Sequence, residues 1–503
     1  MGRMGAEGTA NDEAGMGAEA LARGVRGVGE AASSDGARAT ATGAASGRAR
    51  AFLGSFFHAP AYGAVELLED ALIEVDVRGR IERVVLPGEP DRAAAVASHR
   101  EAGDLVELPR GTYGLPGFVD LHVHAPQWPQ AGVALDEPLD VWLQKRTFPL
   151  EARFSDLGFA RTVYRDLVRR LLSLGTTTTV YFASNDLRSS IELARICAEE
   201  GQRGLVGKVV MDDPTANPEY YRDASTEQAL RDTETMLGEV ESIGRSCPQG
   251  VYPVVTPRFI PSCTDDALRG LGALAERYDA YVQSHCNEGQ WEHDFVLARM
   301  GVTDAQALYR FGLLRERSIM AHCTFLSEQD GELFARVGAA VAHCPISNSY
   351  FANSVCPVRR LREQGVRMGL ATDVSGGFSP SMYDNVRHAV MVSRMLEDGV
   401  DARVGREARG TGDARITSAE AFWLATAGGA QALRLATGTF VPGNAFDAQF
   451  VDTTVAGSEL RGFGVFEGPR DVLDRILFLA TPQNVRQTWV QGRMVFDRAG
   501  LEA

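Results

Sequence analysis

At 503 residues the chain exceeds what one hydrophobic core usually supports, so a large domain with a smaller companion is the expected organisation. An apolar content of 45% suits a globular protein, and no run of about 18 apolar residues is present, which argues against a membrane-spanning helix. A formal net charge of -15 argues against phosphate-backbone binding, so neither a nucleic-acid nor a membrane partner is expected, and a small neutral or cationic ligand fits better.

Residues 1–50 are mostly Ala, Gly, Arg, Ser and Thr. Such a stretch cannot bury enough apolar surface to offset its ordering entropy, which predicts a disordered extension. Glu7, Asp12, Glu13, Glu19, Glu30 and Asp35 depart from the acid-poor composition of a transit peptide, and no apolar core of a secretory signal is present. From 51 to 115 the pattern is strand-like, with runs at 65–67, 71–77, 81–86 and 104–108 separated by Gly, Pro and charged breaks.

Between 116 and 435 the chain alternates. Apolar strand runs fall at 117–124, 176–183, 205–211, 251–259, 280–285, 318–322, 339–344 and 366–373, with helical periodicity between most of them, as at 156–173, 190–200, 226–243, 265–277 and 327–337. Thr417-Ser-Ala-Glu420 then reads as a capping box opening one more helix. Over 436–503 strand-like runs return at 448–451, 476–480 and 485–496, the last broken at Gly492. Two strand-rich ends around a different middle predict one small β-sandwich domain built from both termini. Eight strands with crossovers fit a (β/α)8 TIM-like barrel of the α/β class, or an open doubly wound sheet. The barrel is favoured because His, Asp and Arg fall at the C-terminal ends of strands one, four, five, six and eight, which only a barrel gathers on one face.

Within Asp120-Leu-His-Val-His124, side chains two apart on a strand point the same way, so His122 and His124 can share a cation. His285 and Asp373 end two further strands, and three imidazoles with one carboxylate leave room for water, as a catalytic metal site requires. Zinc suits such nitrogen donors. Glu288, three residues past His285, is spaced to carry a proton without being a ligand. His322, ending strand six, can bond the attacking water or a developing negative charge. His343 reads as a structural residue, and His58, His99, His293 and His388 receive no role. Strand four contains no lysine to bridge two metals, so one ion per chain is expected. The seven cysteines are scattered, odd in number and without a C-x-x-C pair, which reads as free thiols in a reducing compartment such as the cytoplasm.

These residues closely resemble the guanine deaminase branch of the amidohydrolase superfamily. The resemblance rests on Pro116-Gly-Phe-Val-Asp-Leu-His-Val-His-Ala-Pro-Gln127, Trp142-Leu-Gln-Lys-Arg-Thr-Phe-Pro-Leu-Glu151, Thr256-Pro-Arg-Phe259, Ser284-His-Cys-Asn-Glu288, Met320-Ala-His322, Ala342-His-Cys-Pro-Ile-Ser-Asn348 and Gly369-Leu-Ala-Thr-Asp-Val-Ser-Gly-Gly377. It implies one zinc on His122, His124, His285 and Asp373, with Glu288, His322 and Asp373 in catalysis and Gln127, Arg258 and Phe259 as substrate contacts. It also implies hydrolysis of guanine to xanthine and ammonia by a homodimer. The alternatives are a deaminase or hydrolase acting on another purine, a pterin, a pyrimidine or a triazine, and a catalytically silent barrel serving as a scaffold.

Overall fold

The computed structural model describes residues 50–502. The extension expected over 1–50 lies outside the described residues except for Arg50, whose N–H donates to the Asp104 carbonyl at 2.9 Å. Eight parallel strands follow one another in sequence and in space: β1 (Phe118–His124), β2 (Thr176–Phe182), β3 (Arg203–Gly207), β4 (Val251–Pro257), β5 (Tyr281–Cys286), β6 (Ser318–His322), β7 (Ala340–His343) and β8 (Arg367–Leu370). A short continuation of β3 at Val209–Val210 also pairs with β4. The ring closes at one end. Thr372 N–H donates to Asp120 Oδ1 at 2.9 Å, Asp373 N–H to the His122 carbonyl at 2.9 Å, and His124 N–H to the Val374 carbonyl at 2.9 Å. The nearly closed (β/α)8 barrel expected from the strand-end polar residues is therefore the observed architecture.

The crossover helices start where side chains satisfy their free N–H groups. Asp156 accepts from Gly158 and Phe159 ahead of Leu157–Ser173, Ser225 from Gln228 ahead of Thr226–Arg245, and Thr264 from Ala267 ahead of Asp265–Arg277. In Leu157–Ser173 the buried residues Ala160, Val163, Tyr164, Leu167, Val168 and Leu171 recur every three or four positions, which turns one stripe of that helix toward the strands. Among the described residues no helix is long and apolar enough to cross a membrane.

Both chain ends contribute to a separate sheet of eight strands. Its order runs Arg493–Asp497, Val485–Val490, Ala448–Asp452, Thr112–Pro116, Ala51–His58, Glu66–Val75, Ile81–Val85, with Leu105–Glu107 also beside Ala51–His58. The runs expected at 65–67 and 71–77 are one bulged strand, because the charged stretch between them bends without breaking the pairing to Ala51–His58. At Gly492 the chain does turn. Gln491 and Gly492 both have positive φ (52° and 66°), as a tight hairpin demands. The strand expected at 476–480 is instead the end of a helix, Pro469–Leu479. Pro469 at its first position and buried Leu473, Ile476 and Leu477 at helical spacing outweigh the local strand-like look of Ile-Leu-Phe-Leu.

A buried ion pair links sheet and barrel. Arg203, at the start of β3, pairs with Asp447 and also donates to the Gln249 carbonyl at 2.6 Å, Thr178 Oγ1 at 3.1 Å and Gln491 Oε1 at 3.0 Å. Asp447 in turn accepts from Gln491 N–H and Thr437 Oγ1, both at 2.8 Å.

Candidate active site

The closed end of the ring brings together side chains that are far apart in sequence. His122 Nε2 lies 3.2 Å and His124 Nε2 3.6 Å from Asp373 Oδ1, while His124 Nε2 is 3.0 Å from His285 Nε2. All four residues are buried. His285 Nδ1 donates to the Arg258 carbonyl at 2.6 Å, which leaves its Nε2 as a lone-pair donor. Burial first, and the neighbouring histidines with the Arg258 guanidinium second, push the His122, His124 and His285 imidazoles well below their ordinary range, which favours the neutral rings. His122 Nε2 is buried without any hydrogen-bond partner. His122 and His124 with Asp373 form one donor set that fits a divalent cation, and His122 with His285 and His322 forms a second that shares the orphaned His122 Nε2. Cys344 Sγ also comes within reach of His322 and Asp373, a neighbour not anticipated from sequence.

Glu288 and His322 stand beside this set, with His322 Nε2 3.7 Å from Glu288 Oε1. Burial, helped by the charge of Asp373, pushes the Glu288 carboxyl up to about 8, with Arg258 opposing. His322 Nδ1 hydrogen-bonds Asn348 Oδ1 at 2.8 Å, and its Nε2 has no partner. Asn348 ends a sequence segment already singled out, yet no spacing argument linked it to His322. Behind Glu288, its N–H donates to Glu292 Oε2 at 2.7 Å, and His293 Nδ1 lies 3.2 Å from Asn287 Oδ1, so His293 braces the loop after β5. His343 is buried at the end of β7 with Nδ1 unpartnered. His58 and His99 belong to the flanking sheet, where His58 meets Glu66 and His99 meets Glu74 and Asp104.

Three of the site's residues hold left-handed backbone conformations: Asn287 (φ 53°), His322 (φ 72°) and Asp373 (φ 51°). Non-glycine residues adopt these angles at a cost, which surrounding structure must impose. After Asp373 the chain folds back tightly, Gly377 N–H donating to the Asp373 carbonyl at 2.6 Å. A Cβ at Gly377 would stand 2.0 Å from the Thr372 carbonyl oxygen, so only glycine fits there.

Gln127 and Arg258 meet on Glu151, to which the sequence assigned no role. Gln127 Nε2 donates to Glu151 Oε1 at 2.9 Å, and Arg258 Nη1 pairs with Glu151 Oε2 at 2.6 Å. All three are buried. Phe259 stands with its ring centroid 6.3 Å from that of His285 and 6.0 Å from that of Trp291. Glu151 was legible as the end of a distinctive segment, but its partners lie 24 and 107 positions away, beyond any local pattern.

Comparison with known proteins assigns the chain to a family. A model of the amidohydrolase family matches residues 113–495. The chain is 36% identical over 453 residues to a guanine deaminase of Mus musculus, covering 88% of this chain and 96% of that protein. It is 34% identical over 460 residues to a guanine deaminase of Dictyostelium discoideum, covering 88% and 97%. Among solved structures it is similar to a guanine deaminase of C. acetobutylicum with guanine bound in the active site, at 28% identity and a TM-score of 0.78, covering 89% of this chain and all of that one.

Proposed function

Since the chain belongs to the amidohydrolase family, we propose that it catalyses the hydrolytic deamination of guanine to xanthine and ammonia. The observation that carries this reading is the buried convergence of His122, His124, His285 and Asp373 beside Glu288, with His122 Nε2 left without a hydrogen-bond partner. In this reading those four residues hold one zinc ion, which when bound supplies Lewis acidity that makes water a nucleophile at neutral pH. Residues 116–435 are the catalytic barrel, with 51–115 and 436–503 as the flanking β-domain. The same reading makes the protein a cytoplasmic homodimer, in keeping with its seven free thiols.

The protein's own groups then have defined tasks. Glu288, able to hold a proton near neutrality, takes one from the attacking water and gives it to a ring nitrogen next to the amino-bearing carbon. Water's oxygen bonds that carbon. His322 Nε2 and Asp373 hold the new hydroxyl, whose proton passes to Glu288 and on to the amino group, so that the carbon–nitrogen bond breaks, ammonia leaves and the carbonyl of xanthine forms. Gln127 and Arg258 orient the base by its polar edge, and Phe259 packs on its aromatic face.

An absorbance assay for guanine loss and xanthine formation tests this directly, with a purine, pterin, pyrimidine and triazine panel alongside. Guanine is expected to be the best substrate, and a chelator to abolish turnover. Glu288→Gln should lower kcat by roughly 10³-fold while metal analysis still finds about one zinc per chain. Full activity in that variant removes Glu288 from the scheme, and turnover of another heterocycle in preference to guanine replaces the substrate.

A further inference from the structure

Several side chains of Trp142–Glu151 support the local structure. Trp142 Nε1 donates to the Val133 carbonyl at 2.9 Å, Thr147 Oγ1 accepts from Gln130 at 2.9 Å, and the Phe148 ring lies 5.0 Å from the Arg258 guanidinium carbon. Glu151 remains. Its carboxylate takes the Gln127 amide on one oxygen and the Arg258 guanidinium on both, at 2.6 Å and 3.3 Å.

A carboxylate facing a guanidinium is ionised and can only accept hydrogen bonds. The end of the Gln127 amide turned toward Glu151 must therefore be its NH2. That leaves Gln127 Oε1 as the free end, and this oxygen is buried with no partner. An amide is otherwise indifferent to a half-turn, which exchanges a donor for an acceptor. Glu151 removes that indifference.

We propose that Glu151 is a positioning residue that sets substrate choice by fixing Gln127 as a hydrogen-bond acceptor alongside the donor Arg258. An acceptor and a donor held on one carboxylate complement a cyclic lactam, whose ring N–H donates and whose adjacent carbonyl accepts. Guanine carries that pair. A purine without the lactam would leave Gln127 Oε1 buried and unsatisfied, a penalty that discriminates strongly. This inference rests on the guanine reading above and adds what selects guanine among aminopurines.

The test compares guanine with 2-aminopurine, which keeps the amino-bearing carbon and lacks the lactam, using zinc-loaded wild-type and Glu151→Gln protein. Wild type should prefer guanine by roughly 10³-fold or more in kcat/KM. In the variant, whose own amide no longer dictates which end of Gln127 it meets, guanine should lose about 100-fold and 2-aminopurine no more than about threefold. Binding without chemistry gives a second readout. Hypoxanthine, which has the lactam but no amino group, should bind the variant at least about tenfold more weakly by calorimetry, with purine itself unchanged. Equal losses on both substrates overturn the inference, since a residue that merely supports the fold would give them. Should Glu151→Gln not fold, Gln127→Leu must show the same selective loss, and an unchanged guanine to 2-aminopurine ratio there overturns it equally. Wild type that leaves guanine intact defeats the functional reading itself and this inference with it, a result visible before any variant is made.

Discussion

Asp120 shows how much one side chain contributes to the site without touching its chemistry. Its carboxylate accepts from Thr372 N–H at 2.9 Å, Thr372 Oγ1 at 2.5 Å and His122 N–H at 3.3 Å, in complete burial. Replacing it by Ala leaves those donors unsatisfied, and Asp120→Ala should lose about 2–3 kcal/mol of stability by chemical denaturation and retain less metal after dialysis. At this scale the sequence was informative about residues that act together on one strand. His122 and His124 follow from the two-residue repeat of an extended chain. Across elements it marked only residues at strand ends, which is why the contacts of Glu151, Asn348 and Glu292 emerge only in three dimensions.

Elements were legible where their periodicity was long and their caps were chemical. Thr417 and Glu420 form the reciprocal cap read from their spacing, and Thr417→Ala should cost about 1 kcal/mol, seen as a lower thermal midpoint with activity retained. The misread element, Pro469–Leu479, ends in a four-residue apolar run that strand and helix share locally. The helix Arg92–Ala102 was likewise hidden, since only Val96 of its residues is buried and no apolar stripe marks it. That helix carries a pH-sensitive contact. His99 bonds Asp104 at 2.8 Å and Glu74 at 3.1 Å. Burial works against the His99 charge, but the two acids outweigh it and raise its pKa above 6.5, while burial likewise opposes Glu74, whose pKa Arg83 and His99 nonetheless draw below 4.5. The histidine's stabilisation is complete below 6.5 and lost as pH rises through its folded value; that of Glu74 is present above 4.5 and lost as pH falls. The contact is thus strongest between those values. His99→Gln should lower stability by about 0.5–1 kcal/mol near pH 5.5 and by less near pH 8, measured by denaturant titration at both.

For the molecule as a whole, the junction of sheet and barrel rests on the buried Arg203–Asp447 pair. Asp447→Ala strands a buried guanidinium and should cost about 3–5 kcal/mol, whereas Arg203→Met with Asp447→Leu should recover much of that loss in the same denaturation experiment. Barrel and flanking sheet were legible because composition changes twice along the chain; the pairing of Thr112–Pro116 with Ala448–Asp452 was not, since it joins segments from opposite ends. The seam between β1 and β8 has a consequence for biogenesis. Asp120 and Thr372 are 252 positions apart, so during synthesis from the N-terminus the first two histidines are made long before the aspartate that faces them. A truncated or half-folded chain offers those histidines with nothing opposite. Under the proposed function, retention of the cation reports that a newly made molecule has been finished and its circle of strands shut, and incomplete products should leave a ribosome or a refolding mixture empty-handed.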